Sequence, residues 1–253
     1  MPTRTALRLL RHATLLLRYA DRRILVDPML AEAGTTPPIE DTPNQRPNPL
    51  VPLPRFDLAG IDAVVVTHRH RDHLDDAAIA ALQADVPVFC QPDDADSLRE
   101  DGFTDVRPVE DDRAWDGVAL HRTEGRHGHD DLAAAMGPVS GFVVSAAEEP
   151  TVFLAGDTVW YEGLERALAT HGPDVVVCNA GGARFTEGEP ITMTDADVER
   201  VCRAVPDATV VAVHMEAINH CLQTRAELQE ALTAAGVADR VEIPADGAWV
   251  DLA

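Results

Sequence analysis

The first part of the chain is built from short apolar runs of the kind that form strands. Three of them, ALRLL, ATLLLRY and RRILVDP, follow one another with one to three polar or turn-compatible residues between them. Runs of this length and spacing predict an antiparallel meander that ends at Asp27 and Pro28.

The pattern breaks over residues 35–54. This stretch carries seven prolines among polar residues, and proline neither continues a helix nor donates to a strand ladder. We therefore expect a long loop here. It is either a neutral surface excursion or a flap over a functional site, because long ordered loops in compact domains often serve one.

After the loop, strand and helix patterns alternate. Strand patterns are IDAVVVTH, VPVFC, TDVRPV and GVALHRTEG, then VSGFVVSA, TVFLAGD, DVVVCNAGG, ATVVAVHM and a closing pair within RVEIPADGAWVDL. Helix patterns are LDDAAIAALQAD, DDADSLREDG, GLERALATHG, TDADVERVCRAV and TRAELQEALTAAG, several with a capping threonine at the start or a glycine at the end. In both halves of the chain, consecutive strand patterns therefore come first, and alternating strand and helix patterns follow.

No change in composition divides the two halves. Two sheets packed face to face with helices outside accommodate both of them around one core. The sequence therefore predicts an α/β fold, a four-layer α/β/β/α sandwich of two mixed sheets, as a single domain over residues 1–253 with the proline-rich loop at 35–54.

Charge and composition exclude several classes of partner. The formal net charge of −22 repels polyanions, and no basic stripe is visible, so we expect no nucleic-acid partner. No apolar stretch approaches the roughly 20 residues of a membrane span, and the first 20 residues lack the pattern of a signal peptide. Four widely spaced cysteines without a CxxC pair indicate free thiols in a reducing compartment. We expect a cytoplasmic protein that acts on a small molecule; its oligomeric state is left open, a homo-oligomer included.

Polar residues follow the buried strand patterns at their carboxyl ends, where functional residues of α/β proteins collect. They are His68, His70, Asp72 and His73 after VVV, Asp157 after TVFLAG, Asn179 after VVVC and His214 after TVVAV. These groups are the candidate site.

The stretch THRHRDHLD places three histidines within six residues. Imidazoles crowded together repel when protonated, and a divalent cation removes that conflict by holding them neutral. Side chains two positions apart point the same way, so His68 and His70 can hold one metal ion while Asp72 and His73 turn toward a second. The motif predicts a two-metal arrangement.

This stretch resembles the HxHxDH signature of the metallo-β-lactamase fold superfamily, whose fold is an α/β/β/α sandwich. His127 in GRHGHD, Asp157 in AGDT and His214 in VAVHM match its other ligand positions, and Asp27 is similar to its strand-end aspartate beneath the metal loop. The resemblance implies a first metal on His68, His70 and His127, a second on Asp72, His73 and His214, and Asp157 as a bridge between them. His129 is the alternative to His127 as third ligand.

The opening RHATLLL…RILVDPML is similar to the GH-(A/S)-T…LIDP start of the branch that contains ascorbate-6-phosphate lactonase, with Arg11 in place of the usual glycine. That resemblance implies that His12 points toward the cleft. His12 and His220 either line the substrate pocket, where each could protonate a leaving group near neutral pH, or are ordinary packed or exposed histidines.

The predicted function is that of a binuclear metal-dependent hydrolase, in which a metal-bridging hydroxide attacks a small ester, lactone or phosphodiester. Zinc suits histidine-rich ligation best, with manganese and iron as alternatives because no ligand is sulfur. The candidate catalytic residues are Asp72, Asp157, His220 and His12. Alternatives are an RNase Z-like phosphodiesterase, a glyoxalase II-like thioesterase and, from a different class, a metal-binding redox module of the flavodiiron type.

Overall fold

A computed structural model describes residues 4–252 of the chain. Its strands are β1 Ala6–Arg11, β2 Thr14–Tyr19, β3 Arg22–Val26, β4 Ala63–Val66, β5 Val88–Cys90, β6 Val106–Pro108, β7 Asp112–Trp115, β8 Val118–Glu124, β9 Ser140–Ala146, β10 Val152–Leu154, β11 Val175–Asn179, β12 Thr209–Val213, β13 Val241–Glu242 and β14 Trp249–Asp251. Its α-helices are α1 Asp76–Ala81, α2 Ala95–Glu100, α3 Asp130–Met136, α4 Glu162–His171, α5 Asp195–Ala204 and α6 Arg225–Ala235.

The strands form two seven-stranded sheets with related topologies. The first has the order β14-β1-β2-β3-β4-β5-β6 and the second the order β13-β12-β11-β10-β9-β8-β7. In each sheet an antiparallel meander leads into parallel strands, β3 to β6 in the first and β10 to β13 in the second. This order matches the strands-first pattern of each half of the sequence.

The main core lies between the two sheets. Leu17 and Val65 of the first sheet belong to the same buried cluster as Phe142 and Val177 of the second. Helices α4 to α6 cover the outer face of the second sheet through one cluster, and α1 and α2 cover the outer face of the first through another. The predicted α/β/β/α sandwich is thereby confirmed.

Three local expectations differ from the structure. Strand β7 and helix α3 were not predicted. The first three residues of β7 are exposed, and α3 buries no residue fully, so neither element shows a hydrophobic pattern in the sequence. Helix α1 ends at Ala81 because Leu82 is extended. Both closing strands are present, and they lie in opposite sheets, because β13 joins β12 and β14 joins β1.

The proline-rich segment has no helix and no named strand. Within residues 35–54 the only regular pairing is the antiparallel bridge between Thr36 and Asn48. Among the described residues, no helix is both long and apolar enough to cross a membrane.

Candidate metal centre

The two sheets bring the carboxyl ends of their parallel strands to one edge of the sandwich, where the predicted ligands meet. Asp157 lies at the middle of this cluster. Its Oδ2 lies 3.3 Å from His73 Nε2 and 3.5 Å from His127 Nε2, and its Oδ1 lies 3.3 Å from His214 Nε2. One buried carboxylate therefore faces imidazoles from three separate segments of the chain.

Within residues 4–252, three overlapping groups have ligand atoms that all lie within 4.8 Å of one another. They are His68, His70 and His127; His68, His73 and Asp157; and His12, Asp72, His73 and His214. All seven residues that the sequence predicts as metal ligands thus lie in one cluster, and His12 joins them.

Pairs of imidazole nitrogens approach each other closely in this cluster. His68 Nε2 lies 3.1 Å from His70 Nδ1, and His73 Nε2 lies 3.3 Å from His214 Nε2. Two nitrogens whose lone pairs face each other repel, unless a proton or a cation lies near both. Because the donors are all nitrogen or oxygen and occur in sets of three or four, the residues fit divalent transition-metal ions.

Outer hydrogen bonds determine which nitrogen of each ring faces the cluster. His127 Nδ1 donates to the Ile191 carbonyl at 2.8 Å, and His73 Nδ1 donates to Asp27 Oδ2 at 2.8 Å. Each of these bonds leaves Nε2 as the inward-facing nitrogen. Metal-binding histidines are commonly oriented by partners of this kind.

Burial and mutual contact set the charges of the cluster. Burial lowers the pKa of His68 and of His214 well below the ordinary value for histidine. Burial has the same tendency at His73, but Asp157 and Asp27 outweigh it and raise the pKa of His73 well above that value. Burial alone would raise the pKa of Asp157, yet the surrounding histidines lower it well below the ordinary value. Because the carboxyl group of Asp157 is ionised, the site carries a net negative charge when its histidines are neutral.

Three residues of this site adopt left-handed backbone conformations. His12, Asp27 and His214 have positive φ angles of 60°, 43° and 69°, a region that costs non-glycine residues about 1–3 kcal/mol each. The His214 backbone N–H donates to the His12 carbonyl at 3.0 Å. The fold thus holds these three residues at the cluster in backbone conformations that are locally unfavourable.

The two further histidines differ in position. His12 is fully buried behind the cluster, with Nε2 3.1 Å from Asp72 Oδ2 and its ring centroid 3.6 Å from that of His214. His220 lines the cavity described below, and its Nδ1 has no hydrogen-bond partner among the described residues. Burial lowers the pKa of His12, and it lowers that of His220 to about 4, so neither is poised near neutral pH as the sequence suggested.

Other site residues had weak or no sequence signals. Asn179, noted only as a strand-end residue, donates its amide to Asp157 Oδ1. The carbonyl of Met136 accepts from His70 Nε2 at 3.1 Å; nothing in the sequence marks a backbone oxygen for this role. His129 lies at the start of α3 and outside the three groups, so the structure brings His127 to the cluster instead.

A cavity of about 380 Å³ opens beside the cluster. His70, Asp72, His127 and His220 lie on its inner side. Its walls are mainly apolar: Met29, Ala31, Pro37, Pro38, Ile39, Pro49, Met136, Phe185, Ile191 and Ile218. The proline-rich loop therefore forms part of a site wall, which decides between the two interpretations that the sequence left open.

Asp27 offers a test of how far the outer hydrogen bonds matter. Its carboxylate accepts from His73 Nδ1 and from both the backbone N–H and the hydroxyl of Thr67. We expect Asp27→Asn to weaken metal affinity by roughly tenfold to a hundredfold, because the charge that orients His73 is removed. Competition titration with a chromogenic chelator measures this.

The matched control is Asp62→Asn. Asp62 accepts the Arg23 backbone N–H at 2.8 Å elsewhere on the first sheet, and its replacement is expected to leave metal affinity unchanged. Equal affinities for the Asp27 variant and the unmodified protein would contradict the orienting role.

Residues 22–215 match the family model described as a beta-lactamase superfamily domain. The protein is 38% identical over 244 residues to the UPF0173 protein YddR of Bacillus subtilis, covering 94% of this chain and 96% of that one. Other relatives carry the name UPF0173 metal-dependent hydrolase, among them a protein of Pyrobaculum islandicum that is 26% identical over 77% of this chain and 80% of its own.

Two solved structures are similar over almost their full length. An isothiocyanate hydrolase from Delia radicum gut bacteria has a TM-score of 0.92 and 38% identity, covering 97% of this chain and 98% of that one. A possible metal-dependent hydrolase from Veillonella parvula has a TM-score of 0.95 and 34% identity, covering 98% of this chain and 100% of that one. The chain therefore belongs to the beta-lactamase superfamily and, within it, to the UPF0173 family of metal-dependent hydrolases.

Proposed function

We propose that this protein is a binuclear metal-dependent hydrolase that adds water to the electrophilic carbon of a small, uncharged substrate. The observation that carries the proposal is the position of Asp157, whose Oδ2 lies near both His127 and His73 while its Oδ1 lies near His214. A carboxylate so placed suits a bridge between two cations. His68, His70 and His127 would hold one ion, and Asp72, His73 and His214 would hold the other.

Divalent cations at such a site would lower the pKa of a water molecule toward neutrality and polarise the bond under attack. The chain supplies the orientation. Asn179 holds Asp157 through its amide, and His12 bonds to Asp72 from the buried side. His220 lines the cavity, and burial lowers its pKa to about 4, so a substrate at this wall would meet a neutral imidazole.

The wall chemistry favours one substrate class over the others. The cavity is lined mainly by proline, isoleucine, methionine and phenylalanine side chains, and its one arginine or lysine is the exposed Arg71. Beyond the metal cluster, the acidic residues Asp75 and Asp76 line the cavity and repel an anionic phosphodiester, whereas esters, lactones, thioesters and isothiocyanates carry no charge to be repelled. An RNase Z-like activity is accordingly the least supported alternative.

Isothiocyanates are our preferred candidates because of the similarity to the isothiocyanate hydrolase. Hydrolysis adds water across the central carbon of R–N=C=S, and the adduct then separates into the amine R–NH₂ and carbonyl sulfide. The reaction needs only an activated water and a proton transfer to nitrogen. Esters and lactones present a similar electrophilic carbon and remain within the proposed class.

A substrate panel tests this function. The purified protein, loaded with zinc, manganese or iron(II), is assayed with alkyl isothiocyanates, lactones, carboxylic esters, thioesters and a phosphodiester. We expect turnover of uncharged substrates with kcat/KM at least about a hundredfold above that for the phosphodiester, since Asp75 and Asp76 line the cavity and juxtaposed like charges cost several kcal/mol. Turnover of the phosphodiester alone would overturn the proposed substrate class.

A further inference from the structure

Asn219 lies between two residues of the cavity wall but belongs to neither the wall nor the metal cluster. Ile218 and His220 line the cavity, whereas the fully buried side chain of Asn219 bonds to the proline-rich loop. The residue thus joins the segment after β12 to a loop about 180 positions away in the sequence.

The side-chain amide of Asn219 is fully used by this loop. Its Oδ1 accepts from the Ile39 backbone N–H at 2.9 Å and from Asn48 Nδ2 at 2.7 Å. Its Nδ2 lies 2.9 Å from the Ile39 carbonyl, 2.7 Å from Thr42 Oγ1 and 2.6 Å from the Asn44 carbonyl. The Asn219 backbone N–H donates to Asn48 Oδ1 at 2.9 Å. A buried amide with every position satisfied fixes its partners strongly.

The loop is also closed upon itself. Thr36 and Asn48 exchange two backbone hydrogen bonds of 2.8 Å, and the Leu50 N–H donates to the Ala217 carbonyl at 2.7 Å. Asn219 therefore bonds to the inside of a closed loop. Besides Asn219, Thr186 holds this segment from outside, because its backbone N–H and its hydroxyl donate to the Asp41 carbonyl at 2.6 and 2.9 Å. Of these two outside residues, only Asn219 forms hydrogen bonds with Ile39 and Asn48, which line the cavity.

What Asn219 fixes is the part of the loop that faces the substrate cavity. It binds both backbone groups of Ile39, whose side chain lines the cavity with Pro37 and Pro49. If the wall is already ordered before the substrate binds, binding does not have to include the entropy loss of ordering it, and the affinity is higher. The effect falls on substrate binding and selection, because Asn219 is not part of the metal cluster.

We propose that Asn219 is a positioning residue that holds the loop of residues 36–49 as a fixed apolar wall, and that this wall selects substrates by their apolar size. The selection rests on the proposed function, while the fixing of the wall does not. Asn219 acts through Ile39 and Asn48 and does not itself touch the substrate.

The main variant is Asn219→Asp, which keeps the side-chain volume but replaces both amide N–H donors by a carboxylate oxygen beside the Ile39 and Asn44 carbonyls. It is compared with Tyr19→Phe, which removes the hydroxyl that donates to the Pro150 carbonyl at 2.8 Å in the core between the sheets. Both variants lose buried hydrogen bonds, but only the first loosens the wall. Thr42→Val, which removes one hydroxyl partner of Asn219, replaces the main variant if that variant does not fold.

The first readout is a series of alkyl isothiocyanates from methyl to phenethyl, assayed at matched metal content. We expect Asn219→Asp to raise KM for the larger members about tenfold, because they lose contacts with the loosened wall; a tenfold change in affinity corresponds to about 1.4 kcal/mol. We expect kcat to change less than about threefold and the metal content to stay the same. Tyr19→Phe is expected to lower the melting temperature without changing KM.

The second readout is cleavage by endoproteinase Glu-C after Glu40, an exposed residue of the loop. Cleavage is expected to be about tenfold faster in Asn219→Asp than in the unmodified protein or in Tyr19→Phe, because opening of the loop limits the reaction. Unchanged KM and unchanged cleavage in the folded variants would overturn the proposal. If the unmodified protein hydrolyses none of the series, isothiocyanates are not its substrates, and KM is measured instead with the uncharged substrate that the panel identifies. If it hydrolyses no uncharged substrate of the panel, the proposed function fails, and the cleavage rates still decide whether Asn219 fixes the wall.

Discussion

Replacing Asp157 with alanine is expected to lower kcat/KM by at least about a thousandfold and to reduce the bound metal to one ion or fewer per chain. Asp157 is buried, and its oxygens lie within 3.5 Å of imidazole nitrogens of His73, His127 and His214. Metal ions supply several kcal/mol of transition-state stabilisation, and every 1.36 kcal/mol corresponds to about a tenfold change in rate. Steady-state kinetics and elemental analysis of the same preparation measure both effects.

The control for this change is Asp207→Ala, at an exposed position between α5 and β12. It is expected to retain activity and metal content. An Asp157→Ala variant that keeps both metal ions and turns over within about threefold of the unmodified protein would contradict the role of Asp157 as the bridging ligand.

Removal of the metal is expected to lower the melting temperature by about 10 °C. The cluster gathers two ionised carboxylates and neutral imidazoles in the interior, and without a cation these groups lose their main compensating charge. A ligand present at a thousand times its dissociation constant stabilises the fold by about 4 kcal/mol, and each kcal/mol shifts the melting temperature of a chain of this size by about 2–4 °C. Scanning calorimetry before and after dialysis against dipicolinate measures the shift.

Adding metal back serves as the control for that experiment. Zinc, manganese or iron(II) is expected to restore the melting temperature, whereas magnesium is expected to restore little, because magnesium prefers oxygen ligands and most donors here are imidazoles. A stripped protein that melts at the same temperature as the metal-loaded one would mean that the cluster binds no ion of consequence.

The part of the site that the sequence could predict is the part carried by local patterns. The spacing of His68, His70 and His73 and the polar residues that end β10 and β12 are visible within a few residues each. Because the carboxyl ends of parallel strands collect at one edge, their convergence was predictable without knowing the pairing of the strands. The same patterns also predicted the four-layer fold.

The remaining features depend on contacts between distant segments. His12 reaches the cluster because the turn between β1 and β2 holds it at a φ of 60°, and a sequence pattern does not show that turn's direction. The choice of His127 over His129 depends on the Ile191 carbonyl, 64 positions away. Likewise, the place of the proline-rich loop in the cavity wall involves contacts with Asn219, about 180 positions away.

The binuclear centre is tested most directly by anomalous diffraction from crystals of the metal-loaded protein, measured on both sides of the metal absorption edge. We expect two peaks, one among His68, His70 and His127 and the other among Asp72, His73 and His214, with Asp157 between them. A single peak, or peaks away from these residues, would contradict the two-metal site on which the proposed chemistry depends.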